Sequence, residues 1–211
     1  MIGPCPLCAA PLTPWVSRRG VPVYQNVALP DAETARAVPR GDLDLAACQA
    51  CGFVTNTSVD PGKLAYDVRY ENSQDSSPTF ERYLDERVDA VLRAGVRGRR
   101  VVEVGCGQGQ LLRRLCARGG NEGFGFDPAC RQPDLPRVRF FRDHYGPRQA
   151  ELHADAVVCR HVIEHVPSPR LLLRAIRGAL APGARLFLET PDLRWILEGR
   201  VFWDLFYVHC S

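Results

Sequence analysis

Val101-Val102-Glu103-Val104-Gly105-Cys106-Gly107-Gln108-Gly109-Gln110 reads as a buried strand running into a glycine-rich turn and then a helix. A glycine-rich bend lets the main chain approach a ligand more closely than side chains permit, and the following helix offers unpaired N–H groups. This points to a cofactor that carries a nucleoside. The dinucleotide fingerprint G-x-G-x-x-G would need its third glycine at 110, where Gln110 stands; the glycines fall at 105, 107 and 109 instead. Asp127 ends the next apolar segment, Gly123 to Phe126, and an acid there can accept hydrogen bonds from both hydroxyls of a ribose.

Outward from this turn the pattern alternates between strands and helices, which predicts an α/β domain with parallel strands and right-handed crossovers. Strands are expected at 101–104, 123–126, 138–141, 156–159 and 185–189. Helices are expected around Leu111, Leu112 and Leu115, closed by Gly119-Gly120, and from Ser168-Pro169 through Leu172, Ile176 and Leu180 to a stop at Pro182-Gly183. Upstream, Ser77 and Pro78 read as N-cap and first position of an amphipathic helix carrying Phe80, Leu84, Val88 and Val91 and ending near Gly95.

The nine cysteines sit in a chain of 211 residues without the charged-then-apolar start of a secretory signal, so metal binding or free thiols are favoured over disulfides. Cys5-Pro6-Leu7-Cys8 and Cys48-Gln49-Ala50-Cys51 are two C-x-x-C knuckles. Brought together they complete a closed four-thiolate zinc site, which holds structure and has no open position for catalysis. The proline-rich stretch between them predicts a module of loops and short strands over residues 1–58. A polar connector and the amphipathic helix would occupy 59–95, and the α/β domain 96–211. The other cysteines, at 106, 116, 130, 159 and 210, lack ligand spacing and are expected to be small apolar fillers.

Composition excludes little else. A net charge of +3 does not argue for nucleic acid, and no apolar run is long enough for a bilayer span, so a cytoplasmic location is expected. His161-Val162-Ile163-Glu164-His165 matches the zinc-peptidase pattern H-x-x-E-H, but Pro167 and Pro169 cut the required helix short and no third ligand is obvious.

The turn resembles the E/D-x-G-x-G-x-G signature of class I S-adenosylmethionine-dependent methyltransferases. The knuckles, Cys51-Gly52-Phe53-Val54, the connector from Tyr66 through Tyr70 to Ser77, the turn at 159–167 and the terminal Phe202 to His209 are together similar to the zinc-binding C-methyltransferase family, which includes sugar C-methyltransferases. The resemblance implies a Rossmann-like sheet that binds S-adenosylmethionine through Glu103, Gly105, Gly107, Gly109, Asp127, Asp143 and Arg160. It implies Cys5, Cys8, Cys48 and Cys51 as zinc ligands, and His165, His209 and a connector tyrosine, Tyr66 or Tyr70, as catalytic groups. Methyl would pass to a small molecule, such as a carbanion-like carbon of a nucleotide-linked keto-sugar. Val208 stands where the family has glutamate. Class I sheets usually have seven strands, so a sequence ending at Ser211 is expected to give a sheet incomplete after the fifth. Either the chain is a fragment, or self-association or a partner covers that edge. The alternatives are a non-catalytic cofactor- or zinc-binding protein and an RNA methyltransferase with a zinc finger; the turn at 159–162 lacks the N-P-P-Y-type sequence of enzymes acting on base amino groups.

Overall fold

The computed structural model describes residues 2–24, 27–63 and 77–211. In chain order the elements are β1 (Leu12–Pro22), α1 (Ala32–Arg36), β2 (Arg40–Cys48), β3 (Val54–Asn56), α2 (Pro78–Arg93), β4 (Arg100–Val104), α3 (Gln110–Gly119), β5 (Glu122–Phe126), β6 (Val138–Phe141), β7 (Ala154–Arg160), α4 (Pro169–Ala179), β8 (Leu180–Glu189) and α5 (Leu193–Glu198). The chain forms two compact units. The first takes residues 1–70, 163–171 and 190–211, and the second takes 71–162 and 172–189.

In the second unit, five parallel strands lie in the order β6-β5-β4-β7-β8. The chain steps outward from β4 to β5 and β6, then returns to the other side of β4 for β7 and β8. That reversal makes the carboxyl ends of β4 and β7 the switch point, where open α/β sheets bind ligands. β4 is paired on both edges, which explains why Val101, Val102 and Val104 are all buried. Ser77 caps α2 by accepting from the Phe80 N–H, and Pro78 occupies its first turn. Leu84, Val88, Val91 and Leu92 form the buried stripe of α2. They pack with Leu112 and Leu115 of α3 and with Val101 in one core. Gly120, at φ +64°, ends α3 in the left-handed conformation.

One boundary moves. Leu180, expected in the helix, instead pairs with Ala154 at the start of β8. Its helical spacing is outweighed by ladder hydrogen bonds to β7, and a register shift between Ala154 and Ala156 absorbs the Pro182-Gly183 bend.

The first unit holds an antiparallel sheet, β1-β2-β3. β1, with 11 residues, and β2, with 9, are longer than the short strands expected, whereas β3 has 3. The prolines are tolerated because β1 is an edge strand, with register shifts between Pro14 and Val16 and between Arg18 and Val21. Val21, Val23, Leu43 and Leu45 form the core with Tyr207 from the C-terminal segment. The Tyr207 ring packs so closely on Gly41 that a Cβ there would lie 2.2 Å from it. Its hydroxyl accepts from the Asp60 N–H at 2.9 Å.

Candidate functional site

Each glycine of the turn after β4 has positive φ: Gly105 +69°, Gly107 +53° and Gly109 +75°. Their roles differ. A Cβ on Gly105 would meet Val162 Cγ2 at 2.1 Å and one on Gly109 would meet the Phe140 ring at 2.3 Å, so packing demands glycine at both. A Cβ on Gly107 would meet nothing within 4 Å. Gly107 is therefore the glycine that leaves the main chain open to a ligand. The turn is tied down by N–H bonds from Gly105 and Cys106 to the Phe126 carbonyl, at 2.8 and 3.2 Å.

Glu103 is only 3% exposed and accepts from the Leu112 N–H in the first turn of α3 at 3.1 Å. Burial pushes its carboxyl up to about 8, against the opposing pull of the Arg160 guanidinium and that N–H. A buried carboxyl poised in this way can receive a cationic ligand group. Asp127 bridges two loops: Oδ2 accepts from the Gly107 N–H at 2.9 Å and Oδ1 from the Ala129 N–H at 2.7 Å. Asp143, after β6, is exposed and paired with Arg148 at 3.2 Å. Phe126 stacks on Phe141, with centroids 4.6 Å apart, and Tyr145 meets the Phe126 ring edge-on at 5.5 Å. The Tyr145 hydroxyl is buried without a hydrogen-bond partner among the described residues, and burial raises it to about 12. It is a polar atom that a bound ligand can satisfy.

Arg160, at the end of β7, donates from Nε to Glu189 at 2.8 Å and from a terminal nitrogen to the Tyr83 hydroxyl at 2.9 Å, and Tyr83 donates to the same carboxylate. Burial opposes the Glu189 charge, but the Tyr83 hydroxyl and Arg160 outweigh it and hold that carboxyl below its ordinary range. The group closes on itself, a fixed cation next to the turn.

In the first unit the two knuckles share one geometry. The N–H of Ala9 donates to the Cys5 carbonyl and that of Gly52 to the Cys48 carbonyl, both at 2.9 Å. Cys5 N–H returns to the Ala10 carbonyl at 2.9 Å and Cys48 N–H to the Phe53 carbonyl at 2.8 Å. Ala9 and Gly52 both have positive φ, +63° and +74°. The sulfurs stand 3.5 Å (Cys8–Cys48), 3.5 Å (Cys8–Cys51) and 3.7 Å (Cys5–Cys51) apart. A tetrahedron with zinc–sulfur bonds of about 2.3 Å has edges of about 3.8 Å, so the four thiols fit that ion. At Cys48 burial opposes ionisation, but the N–H groups of Cys51 and Ala50 outweigh it and bring the thiol to about 7. Because alanine at positive φ is strained and glycine is not, Ala9→Gly is expected to stabilise the protein by about 1 kcal/mol in urea unfolding followed at the first unit.

A second cluster in the same unit joins Glu164, His165 and His209, whose ligand atoms lie within 4.8 Å of one another. Glu164 is 3% exposed and accepts from the Thr190 hydroxyl at 3.2 Å. His165 Nδ1 is 3.2 Å from the Val208 carbonyl oxygen, and the two imidazole centroids are 4.9 Å apart.

Residues 77–209, more than half of the chain, match the family model of a methyltransferase domain. The chain belongs to this methyltransferase family. Among curated relatives it is 34% identical over 107 residues to the ubiquinone biosynthesis O-methyltransferase of Aeromonas salmonicida, covering 46% of this chain and 44% of that one. It is 28% identical over 156 residues to the enzyme of the same name from Neisseria meningitidis serogroup C, covering 63% of each. The chain spans about half the length of the curated relatives it matches. An O-methyltransferase family protein from Burkholderia thailandensis is 22% identical, with a TM-score of 0.45, covering 61% of this chain and 45% of that structure.

Within this methyltransferase domain the structure gathers Glu103, Gly105, Gly107, Gly109 and Asp127 around one turn. Arg160 lies at the end of β7, and Asp143 stands apart on the surface. Tyr66 and Tyr70 lie outside the described residues. Tyr83, Glu189 and Tyr145 were not singled out in the sequence. The first two meet Arg160 only through folding, while Tyr145 follows directly on the Asp143-His144 pair and carries no motif of its own. No helix among the described residues is long and apolar enough to cross a membrane.

Proposed function

We propose that this chain binds S-adenosylmethionine in the turn after β4 and transfers its methyl group to a small-molecule acceptor. The observation that carries the reading is the open side of Gly107 between a buried carboxyl and an aspartate at the sheet switch point. Glu103 would take the ammonium of the methionine end and Asp127 the ribose hydroxyls. Transfer forms a bond from an acceptor lone pair to the methyl carbon as the carbon–sulfur bond breaks. S-adenosylhomocysteine leaves, and the acceptor proton passes to a base. The resemblance assigns that proton work to histidines, and His165 and His209 stand together in the first unit. Holding sulfonium and nucleophile in line supplies much of the acceleration.

The names of the matched relatives favour an oxygen acceptor. They lend no support to C-methylation of a keto-sugar, so the acceptor is proposed only as a small molecule with a nucleophilic oxygen. The fit of the four sulfurs supports structural zinc, held by Cys5, Cys8, Cys48 and Cys51.

Calorimetry with S-adenosylmethionine tests the reading. Wild type should bind in the micromolar range. Gly107→Arg should abolish the heat while lowering stability by only about 1–2 kcal/mol, the cost of a side chain at positive φ. No heat with wild type, or equal heat with both, would sink the proposal. Binding without labelled product from either hydroxylated aromatics or keto-sugar nucleotides would favour a non-catalytic cofactor-binding protein.

A further inference from the structure

We propose that Glu164, His165 and His209 bind one divalent transition ion, zinc, at a site separate from the four cysteines and with an open coordination position. The donor set is two imidazoles and one carboxylate, the combination that holds zinc with a coordination position left over. Glu164 is 3% exposed and offers a carboxylate oxygen within 4.8 Å of a ring nitrogen of each imidazole, so the three donors converge in a shielded place. The donor atoms, within 4.8 Å of one another, need only a modest contraction to the roughly 3.3–3.6 Å edges of a tetrahedral site with bonds of about 2.0–2.2 Å.

The surroundings resemble an outer ligand shell. In the tautomer that donates from His165 Nδ1 to the Val208 carbonyl at 3.2 Å, the lone pair lies on Nε2, where a metal takes it. The Thr190 hydroxyl, 3.2 Å from Glu164 Oε2, orients the carboxylate. His209 is fixed from both sides along the chain. Tyr207 is locked over Gly41. The Cys210 N–H donates to the Glu164 carbonyl at 2.6 Å, and the Cys210 carbonyl accepts from the Asn56 N–H at 3.1 Å and the Thr55 hydroxyl at 2.6 Å. These bonds hold the third donor in place before any ion arrives, so little ordering remains to oppose binding. A three-ligand zinc keeps a place for water or a hydroxyl oxygen and lowers its pKa toward about 7. The four-thiolate site has no such place. The metal proposal stands on the cluster itself and is independent of methyl transfer.

The test is metal stoichiometry of the whole 211-residue chain. Wild type equilibrated with Zn2+ and freed of loose ion should carry two zinc per chain by elemental analysis. His209→Gln and His165→Gln should each carry one. On cobalt substitution, the equivalent lost should be the one without thiolate-to-metal charge-transfer absorption. One zinc in wild type, or two in both variants, would overturn the proposal. If neither variant folds, histidine modification of wild type decides: Zn2+ should protect His165 and His209 from diethylpyrocarbonate, and unchanged modification overturns it.

Discussion

Affinity for S-adenosylmethionine is expected to weaken about tenfold per pH unit as pH falls from 8 toward 6, and Glu103→Gln should flatten that slope. The cause is the buried Glu103 carboxyl, pushed up to about 8 mainly by loss of water. Below that pH the free protein holds the proton. A bound ammonium needs the carboxylate, so binding must expel the proton, and one proton released per ligand sets the limiting slope. Above pH 8 the cofactor's own amine, with a pKa of about 8, loses its charge, so the optimum should fall near 8. Glutamine keeps the shape and the Leu112 contact but not the charge. A lost charge-assisted bond of about 1.5–3 kcal/mol predicts roughly 10- to 150-fold weaker binding at pH 8. Stability without cofactor should move the opposite way. A folded-state pKa raised from 4.5 to about 8 gives a contribution present below 4.5 and lost as pH rises to 8. Glu103→Gln should therefore gain on wild type in unfolding free energy between pH 5 and pH 8. Calorimetry at pH 6, 7 and 8, in buffers of differing ionisation heat, checks the linkage. Parallel profiles for the two proteins would rule Glu103 out as the ammonium's partner.

Where a residue's role is set by local backbone geometry, the sequence is readable. The glycine register of 105, 107 and 109 is one such case, since a left-handed turn between a buried strand and a helix admits few other residues. The knuckles are another: C-x-x-C at 5–8 and 48–51 dictates turns whose hydrogen bonds repeat almost bond for bond. The capped start of α2 at Ser77-Pro78 is a third. What escapes the sequence is set by contacts between distant segments. Nothing periodic in Phe202 to His209 says that Tyr207 fills the space over Gly41 or that Cys210 bonds to Thr55 and Asn56. For that reason the H-x-x-E-H stretch shows no third ligand when read along the chain. In the fold His161 turns to Glu189, 3.8 Å away, and His209 takes its place beside Glu164 and His165. Leu180 fails for a related reason, because a strand partner outweighs its helical spacing.

Removing one cysteine of the knuckles should unfold the first unit while leaving β4 and its neighbours protected. Among the described residues, the hydrophobic cluster against the sheet of that unit is small, built of Val21, Val23, Leu43, Leu45 and Tyr207. Structural zinc in comparable small sites contributes on the order of 10 kcal/mol of apparent folding free energy, comparable to the whole stability of an ordinary domain. Cys51→Ser is the sharper perturbation than a chelator, because it removes one defined, exposed thiol of the four-cysteine cluster. Hydrogen exchange should then show the amides of Ala9, Cys48, Gly52 and Asn56 losing protection together, since their acceptors are the carbonyls of Cys5, Phe53, Cys48 and Cys210, in or beside the knuckles or on the C-terminal segment. The amides of Val101 to Val104 are buried between β5 and β7 and should exchange as in wild type. Their cooperative loss in the variant would mean that the two units fold as one. Unchanged protection throughout would mean that the hydrophobic cluster, not the metal, holds the sheet of β1 to β3. Because Tyr207 and Cys210 are anchored to that sheet, its unfolding also frees His209, so Cys51→Ser should lower the zinc count by two where His209→Gln lowers it by one.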